Sequence, residues 1–73
     1  LEYNELVERF EMGEEFQFSY KNDSYWISQN EEGDFLTRER DSFSQSFKSA
    51  RELFVNGKID DKTVLELWDS IEI

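Results

Sequence analysis

The sequence predicts an α+β domain of order α-β-β-β-α-α, a three-stranded antiparallel meander with helices packed on one face. Three observations predict it. Apolar residues between Tyr3 and Phe10 recur with the period of a helix. From Phe16 to Thr37 the period drops to two. Helix-capping patterns return at Ser49 and Asp60. Hydrophobic periodicity is the primary signal of secondary structure, and caps mark where helices begin.

Tyr3, Leu6, Val7 and Phe10 follow i, i+3, i+4, i+7 spacing, which predicts a helix over roughly 2–12. Glu2, Glu5, Glu8 and Glu11 fan over its opposite side, and Gly13 follows as a C′ residue. Phe16, Phe18 and Tyr20 alternate with Gln17 and Ser19 as a half-buried strand. Lys21-Asn22-Asp23-Ser24 is the first turn, Tyr25 to Gln29 the second strand, Asn30-Glu31-Glu32-Gly33 the second turn, and Asp34 to Glu39 the third strand. With Asn22-Asp23 at the first tip, Tyr20 faces Tyr25 and Phe18 faces Ile27. With Glu31-Glu32 at the second tip, Ile27 faces Leu36. One face then gathers Phe16, Phe18, Tyr20, Tyr25, Ile27 and Leu36, and a one-residue slip would scatter that set. Asp41 to Lys48 is Ser-rich and reads as a loop or a turn of helix. Ser49-Ala50-Arg51-Glu52 fits a capping box, and the helix after it ends at Asn56-Gly57. Asp60 is the N-cap expected for the last helix, with Ile59 and Val64 as a hydrophobic staple and Val64, Leu67, Trp68 and Ile71 as the inward stripe.

A chain of 73 residues makes one domain, 1–73, with no linker, repeat or low-complexity tract. So small a core must be dense, and seven Phe, three Tyr and two Trp supply the material. Cysteine is absent, which fits a reducing cytoplasm. No apolar run is long enough to span a bilayer and no signal-peptide pattern opens the chain.

Charge narrows the functional classes. The net charge is −10, with no histidine. Such a field repels nucleic acid and anionic lipid and favours basic partners. Without His or Cys the usual neutral-pH base, thiol nucleophile and most transition-metal ligands are missing. The distribution is uneven: net −8 over residues 1–36, +2 over 37–58 and −4 over 59–73.

Each place where chemistry could sit has a plainer explanation. Glu14-Glu15, Glu31-Glu32 and Asp60-Asp61 are carboxylate pairs at turns or helix ends, where water keeps both ionised, whereas acid–base catalysis needs one of them buried. Asn30 to Asp34 surrounds a glycine with oxygens but lacks the spacing and distal Glu of a calcium loop. Ser42, Ser44, Ser46 and Ser49 have no histidine partner. Arg38, Arg40, Lys48 and Arg51 form the one basic stretch; phosphate binding is one reading of it, and pairing with the surrounding acids is the expected one. No residue is assigned a catalytic, cofactor-binding or metal-binding role, and the expectation is a non-enzyme.

Two protein-binding candidates remain. Glu2, Glu5, Glu8 and Glu11 form a one-sided acidic face that either merely solvates a helix or supplies a binding field. Trp26 and Phe35 fall on the sheet face opposite the core set. Either a helix covers that face too, or the register is displaced, or the rings form an exposed anchor for a partner or a second copy in a homodimer.

Glu15 to Tyr20 followed by Tyr25-Trp26-Ile27, then Gly57-Lys58-Ile59 and Leu65-Glu66-Leu67-Trp68, give the chain a resemblance over nearly its full length to small, acidic, uncharacterised proteins of Gram-positive bacteria and their phages and mobile elements. The resemblance implies an accessory gene and brings no active site with it. Small acidic proteins in that setting often inhibit nucleic-acid enzymes by imitating DNA charge. The expectation is therefore a cytoplasmic protein-binding module for a basic protein partner, with no direct nucleic-acid or membrane binding and no cofactor. The alternative is a small structural or homodimeric protein using the Trp26/Phe35 patch.

Overall fold

In the computed structural model, which describes residues 1–73, helix α1 runs from Tyr3 to Glu11. It buries Leu6 and Phe10 and turns its glutamates outward. Gly13 ends it at φ +104°, a backbone setting that suits a residue without Cβ. There the Glu14 N–H donates to Arg9 O and the Gly13 N–H to Phe10 O, which satisfies two terminal carbonyls.

Four strands follow: β1 (Phe16–Tyr20), β2 (Asp23–Asn30), β3 (Gly33–Arg38) and β4 (Phe43–Phe47). They form one antiparallel sheet in sequence order, so the meander has four strands rather than the three expected. β4 replaces the expected loop or helical turn. Its residues alternate Phe43, Gln45, Phe47 on one face with Ser44 and Ser46 on the other, and that period of two is a strand signal despite the serines.

The β2–β3 register is as expected, with Ile27 opposite Leu36. The β1–β2 register differs. Phe18 lies opposite Tyr25 and Phe16 opposite Ile27, not Phe18 opposite Ile27. The turn is tighter than expected: Lys21 and Asn22 alone form it, at φ 49° and 66°. Such left-handed two-residue turns match the twist of their strands. The displacement is two positions, so every side chain keeps its face. At the next turn Gly33 sits at φ +147°, and a Cβ there would come within 2.5 Å of Phe47 O. Glycine thus lets β3 and β4 approach.

Helix α2 (Ala50–Asn56) begins at Ser49, whose hydroxyl accepts from the Glu52 N–H at 3.1 Å. The Glu52 carboxylate reaches past Ser49 to the Lys48 N–H at 2.9 Å, so half of the expected capping box forms. Asp60 is not the cap of the last helix. Asp60 and Asp61, at φ 53° and 63°, form a second tight turn that joins Ile59 and Lys62 by backbone bonds of 2.8 and 3.0 Å. The cap is Thr63, with Glu66 completing a full capping box for α3 (Val64–Leu67). The staple expected about Asp60 is lost with it, although Ile59 and Val64 are both buried. Trp68 opens a 3₁₀ turn, Trp68–Ser70.

One core lies between the helices and one sheet face. It unites Leu6, Phe10, Phe18, Ile27, Leu36, Leu53 and Leu67 with five other buried apolar residues, and no polar side chain is buried. Trp68 was expected inside; it is half-buried against the edge of this cluster. Phe54 receives Phe10 and Tyr3 edge-on at 5.7 and 5.9 Å, and Tyr3 meets Trp68 at 5.6 Å. Edge-to-face pairs contribute roughly 0.5–1.5 kcal/mol beyond burial. They tie α1, α2 and the last turn together.

Candidate protein-binding surfaces

Glu2, Glu5, Glu8 and Glu11 are all exposed; Glu5, Glu8 and Glu11 lie on the side of α1 away from Leu6 and Phe10, and Glu2 is its N-cap residue. Arg9 stands at the border of this face. It pairs with Glu5 at 3.4 Å and Glu14 at 2.7 Å, and its guanidinium lies over the Phe16 ring at 5.4 Å. The bond to Glu14 is the main cause that raises the Arg9 pKa. Glu2, Glu8 and Glu11 have no cation within ion-pair distance.

The fold extends this face in a way not anticipated. Gln29 donates from its side chain to Phe10 O, and its N–H points to the Glu15 carboxylate at 3.5 Å. These contacts hold the end of α1 against the end of β2. Glu11, Glu14 and Glu15 therefore share one end of the sheet with Glu31 and Glu32 at the β2–β3 turn. The other end is internally neutralised by Lys21–Asp60, Arg40–Asp23 and Arg38–Asp41 ion pairs. Of the basic stretch 38–51, Arg38 and Arg40 find acids as expected, while Lys48 and Arg51 have none within 4.0 Å. The signal for the acidic end was the antiparallel alternation itself, which sends every second turn to the same end.

Trp26 and Phe35 stand on the sheet face that contributes nothing to the core. Trp26 is 44% exposed and Phe35 half-buried. Trp26 lies opposite Thr37 and Gln17, Phe35 opposite Ser28 and Ser46. The rings are diagonal neighbours, and the strand residues around them are uncharged. The register change at β1 does not move either ring to the other face.

The other candidate sites do not assemble. All six residues of the Glu14-Glu15, Glu31-Glu32 and Asp60-Asp61 pairs are exposed. In the Asn30–Asp34 turn the Asn30 side-chain oxygen accepts from the Glu32 N–H at 2.7 Å, which is local turn chemistry. Nowhere do three carboxylates converge as ligands of one ion. Arg38 clamps Asp41 through two hydrogen bonds of 2.7 and 3.0 Å, and these hold the Asp41 carboxyl down at about 2. A cleft of about 80 Å³ beside Arg38, lined also by Tyr25, Phe43 and Lys58, is far smaller than a ligand pocket. No helix is long and apolar enough to cross a membrane. The chain matches no protein-family model, no characterised protein sequence and no solved structure.

Proposed function

We propose that the chain is a non-enzymatic, cytoplasmic protein-binding module whose acidic surface docks on the basic surface of a nucleic-acid-binding protein, in place of the nucleic acid. One observation carries the reading. The exposed Glu2, Glu5, Glu8 and Glu11 face runs into Glu14, Glu15, Glu31 and Glu32, and Arg9 is the only cation paired to any of them. A field of one sign steers a partner of the other sign and raises the association rate. The resemblance to small acidic proteins of Gram-positive bacteria and their phages supports the same reading.

The test begins with a partner eluted by salt from immobilised chain. Duplex DNA should compete with the chain for that partner. Glu2→Lys/Glu8→Lys should slow association, because both glutamates are unpaired and solvated. Rising salt should do the same, since charges are screened over about 8 Å at physiological ionic strength. An unchanged on-rate and no competition by DNA would overturn the reading.

The second reading, docking through the Trp26/Phe35 face, is favoured by the 44% exposure of Trp26 on a sheet face that no helix covers. It covers both a small structural protein and a homodimer. It requires Trp26→Ala to abolish association while salt matters little.

A further inference from the structure

The two edges of the sheet are finished differently. On the outer side of β1, Ser19 and Glu72 exchange backbone hydrogen bonds of 2.8 and 3.0 Å. On the outer side of β4 there is no such cover. β4 pairs with β3, and no other backbone hydrogen bond reaches Phe43–Phe47. Edge strands offer unpaired N–H and C=O groups to any passing strand, and proteins blunt them with charges, proline, bulges or cover. Phe43-Ser44-Gln45-Ser46-Phe47 has no charge and no proline, and Phe43 is 55% exposed.

The strand is also a palindrome, Phe-Ser-Gln-Ser-Phe in both directions. A two-fold interface requires that if residue i meets j, then j meets i. Antiparallel pairing centred on Gln45 meets that condition with like chemistry throughout. Phe43 falls opposite Phe47 of the second copy, Ser44 opposite Ser46, and Gln45 opposite itself.

Charge points to the same occupant. Two bodies of charge −10 repel, so self-contact needs a surface without carboxylates. β4 is such a surface. Antiparallel pairing also keeps the acidic Phe47 ends of the two copies apart, each beside the Phe43 end of the other, where Arg38 and Arg40 are already paired within the chain. The first charges beyond the strand, Asp41 and Lys48, then come beside each other across the pair with opposite signs.

We propose that β4 is a self-association edge, on which a second copy of this chain pairs antiparallel about a two-fold axis at Gln45 to make one continuous sheet. The contact is small. A five-residue strand is about 17 Å long, and with its Phe rings it buries less than the ~1,200 Å² of a standard interface. The dimer is therefore weak and exchanges with monomer.

Sedimentation of the whole chain between about 10 μM and about 1 mM tests this, the range in which a contact of this size is half-formed. The mass should rise from 8.8 kDa toward twice that value. Ser44 and Ser46 are exposed, so charges there spare the core. Ser44→Lys/Ser46→Lys sets like charges opposite each other at both pairs and should leave a monomer, although it makes the chain less negative overall. Ser44→Lys/Ser46→Glu sets opposite charges there and should restore the dimer. Circular dichroism confirms that each variant folds. A wild type that stays monomeric at the highest concentration overturns the proposal. So does a dimer that survives the double lysine change or is abolished by Trp26→Ala, and so does failure of the Lys/Glu variant to associate.

Discussion

Gln45 holds Lys58 as a neighbouring strand would. Its side-chain amide donates to Lys58 O at 2.7 Å and accepts from the Lys58 N–H at 3.0 Å. One side chain on β4 thereby satisfies both backbone groups of Lys58, in the segment that leads from α2 to the Asp60-Asp61 turn. Gln45→Ala should lower stability by about 1–3 kcal/mol, the sum of two ordinary hydrogen bonds. Urea unfolding at low concentration measures it, and an unchanged midpoint would mean that water replaces the amide without loss.

The aromatic cluster ranks its own members. Phe54 is 6% exposed and takes two rings edge-on, whereas Trp68 is half-buried. Phe54→Ala should cost about 3–5 kcal/mol, and Trp68→Ala distinctly less. Thermal unfolding of both variants gives the order. A larger loss at Trp68 would place its ring deeper than the structure does.

Ser42 closes the β3–β4 loop at φ 58°, a left-handed setting that a side chain resists. Ser42→Gly should stabilise the fold by roughly 0.5–1 kcal/mol, and Ser42→Val should destabilise it, because β-branched residues tolerate this setting least. Denaturant midpoints that move the other way would contradict the loop that delivers β4 to the sheet.

The Arg38–Asp41 clamp gives a signed pH dependence. The folded Asp41 carboxyl titrates at about 2, below its ordinary 3.8. Between those values the unfolded chain binds more protons than the folded one, so the clamp's contribution is full above pH 3.8 and is lost as pH falls toward 2. The stability difference between wild type and Asp41→Asn should shrink over that window. A difference that is constant from neutral pH down to pH 2 would show that Asp41 acts through its shape and not its charge.

Side-chain periodicity made the first helix, the inner sheet face and α2 legible, because Leu6, Phe10, Ile27, Leu36 and Leu53 obey periods that belong to one structure each. What escaped was written in the backbone. The first turn falls within the expected Lys21–Ser24, but nothing in the hydrophobic pattern marks that Lys21-Asn22 alone take left-handed φ values, or that Asp60-Asp61 form a turn at all. Asp60 looked like a cap because Asp serves both purposes. β4 escaped because Ser44 and Ser46 lower its hydrophobicity without altering its alternation. The four glutamates of α1 were visible as a helix face, but their continuity with Glu31 and Glu32 needed the contacts of Gln29 and the end-to-end alternation of the sheet. Trp26 illustrates the converse. Its face was correctly placed, and only the positions of the helices decided that the face stays open.

The Ser19–Glu72 contact also has a place in time. Each strand pairs with the next one made, across a turn of two to four residues. Such local pairings form early and without long loop closure. The segment that carries Glu72 is synthesised after every strand, and it must return across the whole domain to reach Ser19. The local strand pairings therefore precede the long-range closure of the first edge. Until Glu72 docks, β1 and β4 both stand open, and its docking removes one of these two sticky borders.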